Sequence, residues 1–131
     1  MPAVINPVDD ADDRFFWEGA ADHKLLLQWC TGCGTVRHPP SPMCPRCHSL
    51  EWEAREASGR GTVYSWVLSH HPTAGDPTPR IVVLVQLAEG VRLVSNLVGV
   101  EPDAVRNDMD VEVFFEVFDD ITLPQFRPAA E

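Results

Sequence analysis

The stretch CTGCGTVRHPPSPMCPRC, residues 30–47, contains all four cysteines of the chain in two C-x-x-C pairs. Cys30 and Cys33 form the first pair, Cys44 and Cys47 form the second, and ten residues separate the pairs. Two residues between paired cysteines let one tight turn present both sulfurs to the same ion, and zinc prefers a closed tetrahedron of thiolates. The spacing therefore predicts a structural zinc site, because four cysteines leave no coordination position open for a catalytic water.

Two disulfide bonds, or an iron ion, are the alternatives to zinc for these four cysteines. Disulfides rarely persist in a reducing compartment, and residues 1–6 (MPAVIN) lack the basic segment and apolar core of a secretory signal. We therefore expect a cytoplasmic protein, which favours metal binding. Iron stays open because a tetrahedral thiolate site suits both metals. A thioredoxin-like redox motif is disfavoured because neither pair opens a helix within a βαβ unit.

Size and charge narrow the class of protein. The chain has 131 residues, of which 44% are hydrophobic and 23% are charged, as is typical of one globular domain with a small appended element. Its apolar stretches are far shorter than the roughly 20 residues that cross a bilayer, so no membrane span is expected. Asp and Glu total 20 against 10 Lys and Arg, a net charge of −10 without a basic run. This charge disfavours a nucleic-acid partner, whose phosphates bind cations.

Aromatic residues mark the segment before the cysteines. Four aspartates between residues 9 and 13 favour the start of a helix, and Phe15, Phe16 and Trp17 follow, with Gly19 as the predicted helix stop. Successive helical residues point about 100° apart, so three consecutive rings cannot all face one core. Packing within the chain and contact with a partner protein are both open for this cluster.

After the last cysteine the pattern changes to short runs rich in β-branched and aromatic residues. These runs predict strands at residues 52–57, 62–70, 81–88, 91–98 and 111–118, with a short strand at 123–126. Gly59 and Gly61 predict a bend that joins the first two runs into one strand, and residues 101–106 predict a short helix or turn. This order predicts a mainly β protein with a five-stranded OB-fold barrel, and an open β-sandwich is the alternative.

A long polar connection, residues 71–80, follows the bent strand and is the predicted functional loop. His70 and His71 at its start are candidates for acid–base chemistry because histidine titrates near neutral pH. Arg80 at its end is a candidate contact to the phosphate of a small ligand or to a carboxylate of a partner protein. All three also fit solvated residues at strand ends. The sequence shows neither a nucleophile beside a base nor paired carboxylates in a cleft, so we assign no catalytic residue to this chain.

The arrangement resembles a known family, the zinc-ribbon and OB-fold proteins associated with acyl-CoA metabolism and long catalogued as domains of unknown function. The matching stretches are residues 15–19 (FFWEG) in its aromatic helix, 25–47 in its ribbon, 59–65 (GRGTVYS) at the start of its barrel and 124–128 (PQFRP) in its C-terminal signature. Two positions depart from the family's pattern. Asp108 stands where glycine commonly precedes the methionine, and Asp110 replaces a usual proline.

We divide the chain into an N-terminal arm and helix (residues 1–24), a rubredoxin-like zinc ribbon (25–50) and the OB-fold barrel (51–131). Members of this family generally bind thiolase-superfamily enzymes, and some bridge active sites that share an acyl-CoA. The resemblance implies a non-catalytic zinc subunit of a lipid-transfer-protein-like aldolase, in a hetero-oligomer that performs retro-aldol cleavage of a steroid acyl-CoA. The alternatives are a stand-alone acyl-CoA-binding module and an accessory bridge in a complex of the thiolase and HMG-CoA synthase type.

Overall fold

The computed structural model describes residues 11–70 and 79–129, which form a helix, a small sheet and a closed barrel. Helix α1 spans Arg14–Ala21, and the small sheet contains β1 (Leu26–Cys30), β2 (Val36–Arg37) and β3 (Trp52–Glu56). The barrel contains β4 (Arg60–Ser69), β5 (Arg80–Leu87), β6 (Arg92–Leu97), β7 (Asp110–Phe118) and β8 (Ile121–Pro128), with a 3₁₀-helix at Pro102–Ala104. Within these described ranges, no helix has the length and apolar character needed to cross a membrane.

The small sheet is antiparallel, with β1 between β2 and β3. Gln28 at the middle of β1 faces Arg37 on β2 and Ala54 on β3. The prediction that residues 52–57 begin the barrel is wrong in this respect, because β3 pairs with β1 along its whole length. This pairing satisfies the backbone N–H and C=O groups of β1 on the side away from β2. The ribbon sheet therefore extends beyond the second pair of cysteines.

The five barrel strands close in the order β4–β5–β6–β8–β7, which confirms the predicted barrel and excludes the open sandwich. Neighbouring strands are antiparallel except β6 and β8, which are parallel and meet at Leu97 and Phe126. A hydrogen bond from the Val98 N–H to the Phe126 carbonyl oxygen, 2.8 Å long, continues this contact. The last strand thus joins the two ends of the sheet.

A bend and a bulge shape the start of β4. Gly59 has a φ of 81°, and its carbonyl oxygen accepts a hydrogen bond of 2.8 Å from the Val113 N–H on β7. A Cβ at Gly61 would lie 2.6 Å from the backbone oxygen of Gln86, so only glycine allows β4 to approach β5 this closely. The bulge itself lies at Tyr64, where the register between β4 and β5 shifts.

One hydrophobic core runs through the helix, the ribbon and the barrel. Phe16 on α1, Leu27 on β1 and Phe126 on β8 are buried in the same cluster. At the junction, the Ala57 N–H donates a hydrogen bond of 2.8 Å to the Leu25 carbonyl oxygen, and both residues are buried. The ribbon is therefore packed onto the barrel and is not a separate appendage.

Helix α1 continues past the predicted stop at Gly19 and ends at Ala21. Gly19 is buried, and a Cβ there would lie 2.6 Å from the Leu26 side chain. The glycine therefore serves close packing between α1 and β1 rather than helix termination.

The turn into β7 contains Asp108 in the left-handed region, with a φ of 64°. Its N–H donates a hydrogen bond of 2.8 Å to the Val63 carbonyl oxygen. Glycine adopts this conformation most readily, and aspartate adopts it with less strain than most side chains. Asp108, which stands in place of the family's common glycine, is therefore compatible with the backbone conformation of this turn.

Candidate metal centre

Two turns of the same backbone design carry the four cysteines. In each turn the N–H of the fifth residue donates to the carbonyl oxygen of the first cysteine, from Gly34 to Cys30 and from His48 to Cys44, both at 2.9 Å. The same two donors have positive φ values of 79° and 65°. Glycine adopts this left-handed conformation readily at position 34, whereas nothing in the local sequence indicates that His48 takes the equivalent conformation.

The four Sγ atoms lie within 4.8 Å of one another, close enough to bind one ion as the donor set that the spacing predicted. Cys30 Sγ is 3.5 Å from Cys47 Sγ, and Cys33 Sγ is 3.7 Å from Cys44 Sγ. A zinc tetrahedron with Zn–S bonds of about 2.3 Å has sulfur–sulfur edges of about 3.8 Å. The geometry therefore fits zinc, and all four thiols are free of disulfide bonds. Zinc bound here supplies structural stabilisation only, since the cysteines fill its coordination sphere.

Hydrogen bonds prepare Cys33 for the metal. Thr35 Oγ1 lies 3.0 Å from Cys33 Sγ. The hydroxyl and the backbone N–H of Thr35 lower the pKa of the Cys33 thiol to about 6. A lowered pKa favours the thiolate, which is the form that binds zinc.

A buried polar pair fixes the proline-rich loop between the two cysteine pairs. Gln28 and Arg37 face each other on β1 and β2, and both are buried. Gln28 Oε1 accepts a hydrogen bond of 2.9 Å from the Ser41 N–H, and Arg37 Nη2 donates one of 2.9 Å to the Ser41 carbonyl oxygen. Burial of Arg37 is not evident from the sequence, because nothing in a short polar strand distinguishes a buried arginine from a solvated one.

His38 lies in the same loop and contacts α1. Its ring centroid is 5.6 Å from that of Phe16. Burial lowers the pKa of His38, because the apolar surroundings disfavour the charged imidazolium. The folded protein therefore prefers the neutral ring.

We expect acid to destabilise the wild-type protein more than the His38→Gln variant. With the folded pKa below the unfolded value of about 6.5, the unfolded state binds more protons as the pH falls through 6.5. The difference in the free energy of unfolding between the two proteins should therefore change by up to about 1.4 kcal/mol per pH unit below 6.5, and stay constant above it. Urea unfolding between about pH 5 and 8 measures it, with His23→Gln as an exposed control. Parallel pH profiles for wild type and His38→Gln would contradict this account.

The aromatic cluster is mostly internal. Phe16 is 8% exposed and packs edge-on against Trp17 with ring centroids 5.1 Å apart. Phe15 contacts Trp52 on β3, with centroids 4.8 Å apart. Phe15 and Trp17 are only partly buried against the core. Phe16 therefore has little surface left for a partner, and the predicted contact with a partner is confined to Phe15 and Trp17.

The candidate loop residues lie at one end of the barrel. Arg80 begins β5 opposite Ser69, the last residue of β4, and His70 follows directly. His70 and Arg80 are both exposed, so neither is held in a pocket of the described chain. His71 falls outside the described residues. A role for these side chains at an acyl-CoA stays a prediction.

Comparison with family models agrees with this architecture. Residues 17–53 match the model described as "ChsH2, rubredoxin-like zinc ribbon domain", and residues 54–116 match "ChsH2, C-terminal OB-fold domain". These matches confirm the predicted OB-fold and the zinc ribbon, whose four cysteines are placed to bind the ion.

The chain is also similar to a solved structure and to two proteins of known name. A solved structure described as "Ltp2-ChsH2(DUF35) aldolase" contains a chain that is 44% identical, with a TM-score of 0.90, covering 95% of this chain and 100% of that chain. A probable enoyl-CoA hydratase alpha subunit of Thermomonospora curvata is 45% identical, covering 94% of this chain and 39% of that protein. The 3-oxo-4,17-pregnadiene-20-carboxyl-CoA hydratase alpha subunit of Mycobacterium tuberculosis is 36% identical, covering 96% and 40% respectively. The chain thus spans about two fifths of the length of these two relatives.

Proposed function

Because the chain belongs to the ChsH2 and DUF35 family, which joins a zinc ribbon to an OB-fold, we propose that it is a non-catalytic subunit of a thiolase-superfamily aldolase. The partner enzyme would act on an acyl-CoA by retro-aldol cleavage in steroid side-chain degradation. This chain would bind the partner and complete the acyl-CoA site, so that the carbon–carbon bond is broken by residues of the partner.

The observation that carries this proposal is the match to a chain of an aldolase complex. That match covers the whole of the other chain at 44% identity and a TM-score of 0.90. By contrast, the chain covers about two fifths of each hydratase alpha subunit, so their hydratase activity is a weaker guide to this chain. The steroid acyl-CoA in the name of the Mycobacterium tuberculosis relative supports the proposed class of substrate.

The buried polar side chains support a structural role for this subunit. Gln28 and Arg37 hold the ribbon loop, as described above. Gln125 accepts a hydrogen bond of 2.8 Å from Asn96 and donates one of 2.5 Å to Glu116, which links β6, β7 and β8. These groups are engaged in holding strands and loops together, and general acid–base chemistry needs a group that can reach a substrate.

Within the proposed subunit the parts have separate tasks. Zinc would keep the ribbon folded, and the exposed edges of Phe15 and Trp17 would contact the partner near α1. His70 and Arg80 would project from the barrel end toward the acyl-CoA, and His71 is a further candidate contact on the basis of the sequence alone. An arginine suits this place because its guanidinium binds phosphate in a bidentate manner.

Co-purification from the native cell, with identification of the bound enzyme by mass spectrometry, tests the proposal. We expect a thiolase-superfamily enzyme, and we expect its retro-aldol activity on a steroid acyl-CoA to depend on this chain. An enzyme fully active without the chain, or thioester turnover by the chain alone, would contradict the proposal. Calorimetry of the isolated chain with CoA esters addresses the alternative, since tight binding without a partner would favour a stand-alone acyl-CoA module.

A further inference from the structure

The outer surface of strands β4, β5 and β6 is apolar, and we call it the β4–β6 face. Val67 pairs with Val82, and Leu84 pairs with Val94, all at positions that alternate with the buried residues of β5. Val67 is 62% exposed and Val94 is 67% exposed, whereas an inward neighbour such as Val83 is 0% exposed. Helix α1 packs instead against β1 and β8. A valine, leucine and tyrosine surface on three adjacent strands thus faces outward.

Arginines occupy both ends of the β4–β6 face. Arg80 begins β5 at one end, and Arg92 begins β6 at the other end, opposite Gln86. Arg92 is held in place, because its guanidinium carbon lies 3.8 Å from the ring centroid of Tyr64 and its Nε donates a hydrogen bond of 2.9 Å to Gln86. Along β5 the seven residues from Arg80 to Gln86 span about 20 Å, so the two cations flank the apolar centre.

Acidic residues are missing from the outward positions of these three strands, all of which the structure describes. This is unusual in a chain with 20 acidic residues and a net charge of −10. The carboxylates of Asp110 and Glu112 lie on β7, beside the first residues of β4. The β4–β6 face therefore differs in charge from the rest of the molecule.

The charge pattern identifies the kind of surface that fits. A second copy of this chain is a poor match, because a two-fold interface would bring the same carboxylate-free face onto itself and would join two bodies of charge −10. Arginine and tyrosine are enriched among the residues that contribute most to binding at interfaces, and apolar side chains form interface centres. Three strands span only about 10 Å, so the face supplies the centre of an interface and not all of the roughly 800 Å² that a partner usually covers.

We propose that the β4–β6 face binds an apolar surface of the aldolase partner that carries a carboxylate opposite Arg92. This inference rests on the proposed function, and it assigns the partner to strands of the barrel other than β8, against which α1 packs. Docking through this face and docking through Phe15 and Trp17 can therefore be separated by mutation.

The test compares Val94→Glu and Arg92→Glu with Val117→Glu, a matched control on β7 that is 60% exposed in the wild type. Binding to the thiolase-superfamily enzyme identified by co-purification is measured by calorimetry, with thermal melting as a check on folding. We expect Val94→Glu and Arg92→Glu to weaken binding about thirtyfold or more, and Val117→Glu to bind like the wild type. Arg92→Gln, which keeps the side chain polar, should weaken binding less and reduce its dependence on salt.

If the wild-type chain binds the enzyme, and Val94→Glu and Arg92→Gln bind it with the same affinity, the assignment of the β4–β6 face is wrong. The proposed function would still stand. A wild-type chain that binds no thiolase-superfamily enzyme would overturn both. A concentration-dependent dimer of this chain that Val94→Glu abolishes would assign the face to self-association, and the partner interface would then lie elsewhere.

Discussion

Replacing Cys44 by serine is expected to remove the zinc and unfold the ribbon. Cys44 is 0% exposed, and its sulfur is one of four that form the donor set. Structural zinc contributes about 10 to 16 kcal/mol to folding in zinc-finger peptides, which is as large as the entire stability of a typical domain. Because the ribbon and the barrel share one core, we expect the loss to spread to the barrel. Metal analysis by mass spectrometry, amide hydrogen exchange in β1 and β3, and thermal melting measure the three effects.

Thr31→Ser is the matched control for this experiment, since Thr31 is an exposed residue within the first C-x-x-C pair. It should keep one zinc per chain and the wild-type melting temperature. Partner activity should disappear together with the metal in Cys44→Ser. A Cys44→Ser protein that lacks zinc yet melts like the wild type, or still supports the partner's activity, would show that the metal does not stabilise the fold.

Phe126→Ala is expected to destabilise the protein by about 3 to 5 kcal/mol, because it leaves a cavity at the closure of the barrel. The side chain is 0% exposed and lies where β8 meets β6 at Leu97 and β7 at Val113. Chemical unfolding of the zinc-loaded protein measures the change in the free energy of unfolding. Hydrogen exchange should increase first at the contact between β6 and β8, which is the one parallel pair in the barrel.

Val117→Ala provides the comparison for Phe126→Ala, because Val117 is an apolar residue on a neighbouring strand that is 60% exposed. Removing the Val117 methyl groups should change the free energy of unfolding by no more than about 0.5 kcal/mol. A cost below about 1 kcal/mol for Phe126→Ala would mean that the barrel does not depend on this contact.

The sequence predicts the metal site well because ligand spacing is a local property. Four cysteines in two C-x-x-C pairs specify the donor set without any knowledge of the sheet. The β-rich runs likewise predicted most barrel strands, because alternation and β-branched residues are local signals. The last strand was underestimated as residues 123–126, whereas β8 runs from Ile121 to Pro128, because two prolines within it lack the N–H that a ladder uses.

Features that depend on distant pairing could not be predicted. Residues 52–57 have a strand pattern, but no local signal says that they pair with β1 rather than with the barrel. The stacking of Arg92 on Tyr64 joins residues on strands separated by β5, so it appears only once the register is known. Burial of Arg37 has the same origin, because its partners are the carbonyl oxygen of Ser41 and the facing strand.

Because one hydrophobic core extends from α1 to β8, we expect the ribbon and the barrel to be inherited together as one unit. A cut between them would expose part of the shared core on both fragments, at Leu25 and Leu27 on one and at Ala57 on the other. Gene fusion and fission should therefore succeed only at points before α1 or after β8. The metal site and the barrel would then be transferred together when this unit is joined to other domains.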